Sequence, residues 1–178
     1  MNLSPNAKRA FAVQSYGTAP TIDGVQLIDL KRHHDDGGAM TELGRLVNGG
    51  HEGVAGFTVR QVNYSELEPA AIKAFHLHLR QTDVWFVPPS DRVLVVLVDV
   101  REGSATNGTR MRLMLGSGTS RLLRIPPGVA HGARNLGTAM GRIIYFTDVQ
   151  FSADPALCDE GRLPWDFVGA SIWESTRG

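Results

Sequence analysis

The chain has 178 residues with 18 basic and 18 acidic side chains, and 42% of it is hydrophobic against 20% charged; this is the composition of an ordinary globular domain and excludes a disordered or membrane-embedded chain. Zero net charge without a lysine-rich block excludes the electrostatic footprint of non-specific nucleic-acid binding. A lone Cys158 excludes a disulfide framework and a Cys-x-x-Cys zinc site, and leaves that thiol a spectator.

The opening MNLSPNAKRAFAVQSYG lacks the order of a signal peptide. The longest apolar run, Val93 to Val98, falls far short of the roughly 20 residues that span a bilayer. The expectation is a cytoplasmic protein with no membrane partner. Length fits one domain over 1–178, with a core over about 28–151 and a C-terminal extension over 152–178.

In chain order, RHHDD (Arg32 to Asp36) reads as a solvated loop, and TELGRLVNGG after it as a short helix or strand ending at a glycine pair. From Gly53 onward short β-branched runs alternate with turn residues. GVAGFTVRQVNY, DRVLVVLVDVR, TRMRLML, SRLLRIP and GRIIYFTD read as strands, and Asn107-Gly108 as a two-residue hairpin turn. LGSGTS lacks the lysine of a phosphate-binding loop and reads as a turn. This spacing predicts an all-β sandwich or barrel.

SELEPAAIKAFHLHL is ambiguous. Ser65 and Glu68 have capping-box spacing, which favours a helix, yet Phe75, Leu77 and Leu79 alternate with His76 and His78. In a strand the two histidines share one face, and the strand is the reading adopted. Asp83 follows near the start of the next strand, and Pro126-Pro127-Gly128 introduces a strand that aims His131 inward. Asp99 has Arg101 as a local partner, and Trp165 reads as packing.

His-x-His, a following carboxylate, and Pro-x-Gly-x-x-His-x-x-x-Asn together resemble the two-motif signature of cupins, which implies an RmlC-like jelly-roll β-barrel. RQVNYS, KAFH, VDVREGSATNGT, IPPGVAHGARN, IIYFT and RLPWDF, in that order, resemble motifs of the dTDP-4-dehydrorhamnose 3,5-epimerase family over about Ile28 to Trp173. The chain departs from the family pattern at Gly37, where an arginine is expected, at Lys73, which replaces another arginine, and at Asp83, which stands where a lysine follows the family's glutamine.

The resemblance implies proton transfer beside the ketone of a dTDP-linked 4-keto-6-deoxy sugar in deoxysugar biosynthesis. A histidine titrates near working pH and suits the base. His76 would be that base, Asp166 its carboxylate, and Tyr145 the acid on the opposite face. Lys73, His78 or His131 would steady the enolate oxygen through donor groups; Glu42, Gln61 and Asn63 would join His78 and His131 in binding substrate. The resemblance further implies no cofactor and a homodimer, with FAVQSY as an exchanged strand. Two alternatives stand beside this reading. One is a metal-dependent cupin isomerase, cyclase or dioxygenase holding one divalent ion on His76, His78, Asp83 and His131. The other is a sugar-binding cupin without chemistry.

Overall fold

The structure, a computed structural model, describes residues 1–14 and 17–175. After a short helix α1 (Pro5–Ala10) come β1 (Gln26–Asp29), β2 (Arg32–Asp35), β3 (Gly38–Thr41), β4 (Leu46–Val47), β5 (Gly50–His51), β6 (Gln61–Leu67) and β7 (Ile72–Leu77). Then follow β8 (Asp83–Phe86), β9 (Arg92–Asp99), β10 (Arg110–Gly116), β11 (Arg121–Ile125), β12 (Val129–Asn135), β13 (Gly141–Thr147) and β14 (Gly161–Arg162), and a 3₁₀ turn at Ala170–Trp173.

Two five-stranded antiparallel sheets face each other, ordered β1-β11-β8-β13-β6 and β10-β9-β12-β7-β14. Alternation builds the core between them: Trp85, Leu123 and Ile143 from the first sheet meet Val93, Val95, Leu97 and Ala133 from the second. The apolar run in β9 is continuous because both its faces are buried. Leu94, Val96 and Val98 turn away from the other sheet and pack with Phe75 and Trp173, so the C-terminal segment roofs the second sheet. Val54 and Phe57 cover Val84, Phe86 and Leu122 on the outer face of the first sheet.

Several expectations need correction. RHHDD is exposed but most of it is strand, β2, paired with β3. TELGRLVNGG holds the hairpin β4–β5, turned at Asn48 (φ 50°) and Gly49 (φ 82°), the left-handed pair that an Asn-Gly turn requires. The strand expected from Gly53 begins only at Gln61, because Val54 and Phe57 are used as plugs in irregular chain. Asn107-Gly108 does not close a two-residue hairpin. The β9–β10 connection is longer, held by the buried Asp99 carboxylate, which accepts from Arg101, Ser104 and Thr106. The extension beyond Phe151 is part of the sheets and core, through β14 and Trp173. Of FAVQSY, Phe11 to Gln14 form no strand within this chain, and residues 15 and 16 lie outside the described residues.

The register between β7 and β12 positions the site. His131 pairs with His76 and Ala133 with Lys73, so one extra residue of β7 is accommodated between these pairs. Lys73 and His76, three apart, would face opposite sides of a regular strand; this bulge turns both to the inner face. Gly132 lies opposite, where a Cβ would come within 2.3 Å of the Ala74 Cβ. Only glycine admits so close a backbone approach.

Trp173 is 1% exposed, with its ring 5.2 Å from that of Phe75, the neighbour of His76. Trp173→Ala is therefore expected to lower stability by about 3–5 kcal/mol, measured by urea unfolding; a change below about 1 kcal/mol would mean that the tail is not part of the core.

Candidate active site

The inner chamber, about 70 Å³, is lined by Lys73, His76, His78 and His131 from the side of the second sheet and by Ser65, Asp83, Trp85 and Tyr145 from the first, with Glu160 at its edge. An outer basin of about 490 Å³ adjoins it, lined by Gln61, Asn63, Gln81, Phe151 and Arg162. Tyr145 and Glu160 line both. The inward set follows from strand period: Asp83 and Trp85 alternate with outward Val84 and Phe86, and Gln61, Asn63 and Ser65 with exposed Val62 and Tyr64.

His76 and His131 are register partners with stacked rings, centroids 5.8 Å apart and planes 12° apart. Burial, together with nearby His131 and Arg162, lowers the His76 pKa to about 3. His76 therefore sits in the chamber as a neutral imidazole. Its Nδ1 lies 3.6 Å from Glu160 Oε2. Tyr145 moves the other way: burial and the charges of Asp83 and Glu160 raise its pKa, so the phenol keeps its proton. Lys73 Nζ donates to the Glu66 carbonyl at 2.6 Å and to Ser65 Oγ at 3.3 Å. An ammonium has three donors, so one remains for a ligand.

Asp83 is 3% exposed. Burial opposes its charge, but His131, His78 and the Trp85 indole hold its carboxyl below the ordinary range. It accepts from Gln81 Nε2 at 2.7 Å and Trp85 Nε1 at 3.0 Å. His78 Nδ1 donates to the Asp159 carbonyl at 2.7 Å, and His131 Nδ1 to the Val129 carbonyl at 3.0 Å. The other ring nitrogen of each, Nε2, faces Asp83 Oδ2, at 3.9 Å from His78 and 3.4 Å from His131.

Two expected site residues lie elsewhere. Asp166 is exposed in the turn after Pro164, where its carbonyl accepts from Gly169 N. The tight Pro164–Phe167 turn tips its side chain out, and the carboxylate beside His76 is Glu160. Glu42 is exposed in the β3–β4 connection, bonded to Arg45 at 2.9 Å, and does not line the chamber of its own chain. The fourth expected metal ligand, His76, stands outside the cluster of His78, Asp83 and His131, whose ligand atoms all lie within 4.8 Å of one another.

Asp159 and Glu160 are missed by sequence reasoning. Asp159 accepts the backbone N–H groups of Leu79, Arg80 and Gln81 at 2.8 to 3.1 Å. Burial raises its pKa, and these three donors more than offset that, leaving it lowered. The signal available was the acidic pair in CDEG just ahead of RLPWDF.

Residues 19–165 match a protein family described as dTDP-4-dehydrorhamnose 3,5-epimerase. The spore coat polysaccharide biosynthesis protein SpsL of Bacillus subtilis is 42% identical over 145 residues, covering 82% of this chain and 91% of that protein. Among solved structures, a dTDP sugar isomerase from Desulfovibrio desulfuricans superposes with a TM-score of 0.72 at 29% identity, over 82% of this chain and 87% of the other. The dTDP-6-deoxy-D-glucose-3,5-epimerase RmlC of Legionella pneumophila, in complex with dTDP-4-keto-L-rhamnose, gives 0.67 at 26% identity, over 82% and 75%.

A pH prediction follows from His76. In the unfolded chain it takes up a proton near its ordinary value of 6.5, whereas the folded protein resists until about 3. Folding stability therefore falls as pH drops from 6.5 toward 3, and is fully present above 6.5. Nitrogen-15 NMR at about pH 5 is expected to find His76 neutral; a doubly protonated ring there would contradict the assignment.

Proposed function

Since the chain belongs to the dTDP-4-dehydrorhamnose 3,5-epimerase family, and is an epimerase acting beside the ketone of a dTDP-linked 4-keto-6-deoxy sugar, we propose that His76 is the base and Tyr145 the acid. The observation that supports this is their opposition across one small chamber: a neutral imidazole on the second sheet and a protonated phenol on the first. A hydrogen beside a ketone is acidic because the charge left on carbon moves to the ketone oxygen. His76 takes the proton from one face of the sugar, the remaining ammonium donor of Lys73 steadies the oxygen, and Tyr145 returns a proton from the other face. The carbon inverts.

Glu160 takes the part expected of Asp166. A carboxylate 3.6 Å from Nδ1 favours the imidazolium that forms on proton transfer, offsetting the burial that keeps His76 neutral at rest. The outer basin with Gln61, Asn63 and Arg162 receives the nucleotide. We further propose a cytoplasmic homodimer. Exposed Met40, Leu46, Val47 and Val62 support a covered face, and no helix among the described residues is long and apolar enough to cross a membrane.

Two measurements test this. In heavy water the protein is expected to wash deuterium into the carbons flanking the ketone of a dTDP-4-keto-6-deoxyhexose. His76→Asn reduces that by about 10²–10⁴-fold; Glu160→Gln reduces it by about tenfold or more; Asp166→Asn leaves it near wild type; Tyr145→Phe retains exchange at one carbon while net epimerisation falls. Exchange lost in Asp166→Asn and kept in Glu160→Gln would reverse the carboxylate assignment. Light scattering is expected to give twice the chain mass of 19.3 kDa; a monomer at micromolar concentration would refute the dimer.

A further inference from the structure

His78, Asp83 and His131 are 4%, 3% and 2% exposed, and the proton steps above do not use them. Their hydrogen bonds fix which ring atom faces inward. A carbonyl only accepts, so the contacts of His78 Nδ1 with the Asp159 carbonyl and of His131 Nδ1 with the Val129 carbonyl put a proton on each Nδ1 and leave Nε2 as the atom that meets Asp83. Each Nε2 is directed inward. Both converge on Asp83 Oδ2, 3.9 Å away from His78 and 3.4 Å from His131.

Two ring nitrogens and a carboxylate oxygen are aimed at one point, on side chains almost wholly removed from solvent. Hydrogen bonding within the protein satisfies them only in part. His131 Nε2 has no hydrogen-bond partner. The Gln81 amide nitrogen lies a long 3.4 Å from His78 Nε2 and already donates to Asp83 Oδ1 at 2.7 Å. A cation placed between the three atoms would be held by all of them, since they lie within 4.8 Å of one another.

We propose that His78 Nε2, His131 Nε2 and Asp83 Oδ2 bind one divalent transition-metal ion of the zinc or iron(II) kind. Such ions hold nitrogen and oxygen at about 2.0–2.2 Å, so neighbouring ligand atoms stand about 3–3.5 Å apart; separations of 3.4 and 3.9 Å need only a small contraction. Two imidazoles select against magnesium and calcium, which want oxygen. The outer shell of such a site is also present: each imidazole donates its other N–H to a carbonyl, and the carboxylate is held by Gln81 and Trp85. Three protein ligands leave coordination positions open toward the chamber. This departs from the cofactor-free expectation and from the four-ligand alternative alike, because His76 turns its Nδ1 to Glu160 and stays free for proton transfer.

The test is titration of the chelator-treated full chain with zinc chloride, followed by calorimetry and metal analysis, with magnesium as control and no sugar present. The expected result is one zinc per chain with micromolar or tighter affinity, weakened at least 100-fold in Asp83→Asn and in His131→Gln and unchanged in His76→Asn, with magnesium unbound. Circular dichroism checks that each variant is folded. Should a variant fail to fold, zinc-dependent shifts of the His78 and His131 Nε2 resonances in the wild type, with His76 unmoved, read the same ligands. Absence of stoichiometric zinc, or a His131 ring that carries two protons in the presence of zinc, would overturn the proposal: a proton would then supply the charge. Because no sugar enters, this outcome and that of the deuterium exchange assay are independent.

Discussion

The Asp159 carboxylate, gripping three consecutive backbone N–H groups just past β7, is the contact on which the rest of the site depends. Those N–H groups belong to the turn between β7 and β8, and a turn leaves them without strand partners. By satisfying them from a residue about 80 positions away, the chain fixes that turn and draws its own C-terminal segment along β7. Three consequences follow from one carboxylate. The Asp159 carbonyl meets His78, Glu160 comes beside His76, and Gln81 is held where its amide reaches Asp83.

The polar chamber is stable only because the apolar layers around it are complete. Inward Trp85 and Tyr145 close the chamber against the core between the sheets, while Trp173 and the Val54–Phe57 plugs seal the outer faces. That closure is what desolvates His76 and Tyr145 and shifts their pKa values in opposite senses, one toward a free base and the other toward a retained acid. Packing and protonation are in this sense one arrangement. A looser shell would let water in and return both groups to their ordinary values.

What was legible in the sequence follows what a local period can encode. Alternation put His76 and His78 on one face, because a strand's period of two depends on nothing distant. Lys73 is a different case: its odd spacing from His76 points it outward, and only the bulge opposite Gly132 brings it in. That bulge is a property of two strands together. Glu160 escaped because it stands in irregular chain just before a two-residue strand, where no period can be read. Asp166 was selected by its likeness to a motif, whereas the turn at Pro164 decides where its side chain goes. The two Asn-Gly pairs make the same point. At Asn48-Gly49 the pair closes a tight hairpin, and at Asn107-Gly108 the prior claim of Asp99 on the surrounding hydroxyl groups and Arg101 opens the loop instead.

The roofing of the second sheet by the tail bears on the order in which a ribosome delivers the parts. Thirteen of the fourteen strands precede Asp159 in the chain, so the facing sheets can assemble while the residues that complete the site are still unsynthesised. Until residues 159 to 173 emerge, His76 lacks its carboxylate, His78 lacks the acceptor that sets its tautomer, and Phe75 lies bare on the outer face. The nascent barrel thus holds an unfinished chamber, and its last polar contacts arrive with the final strand and the tryptophan that follows.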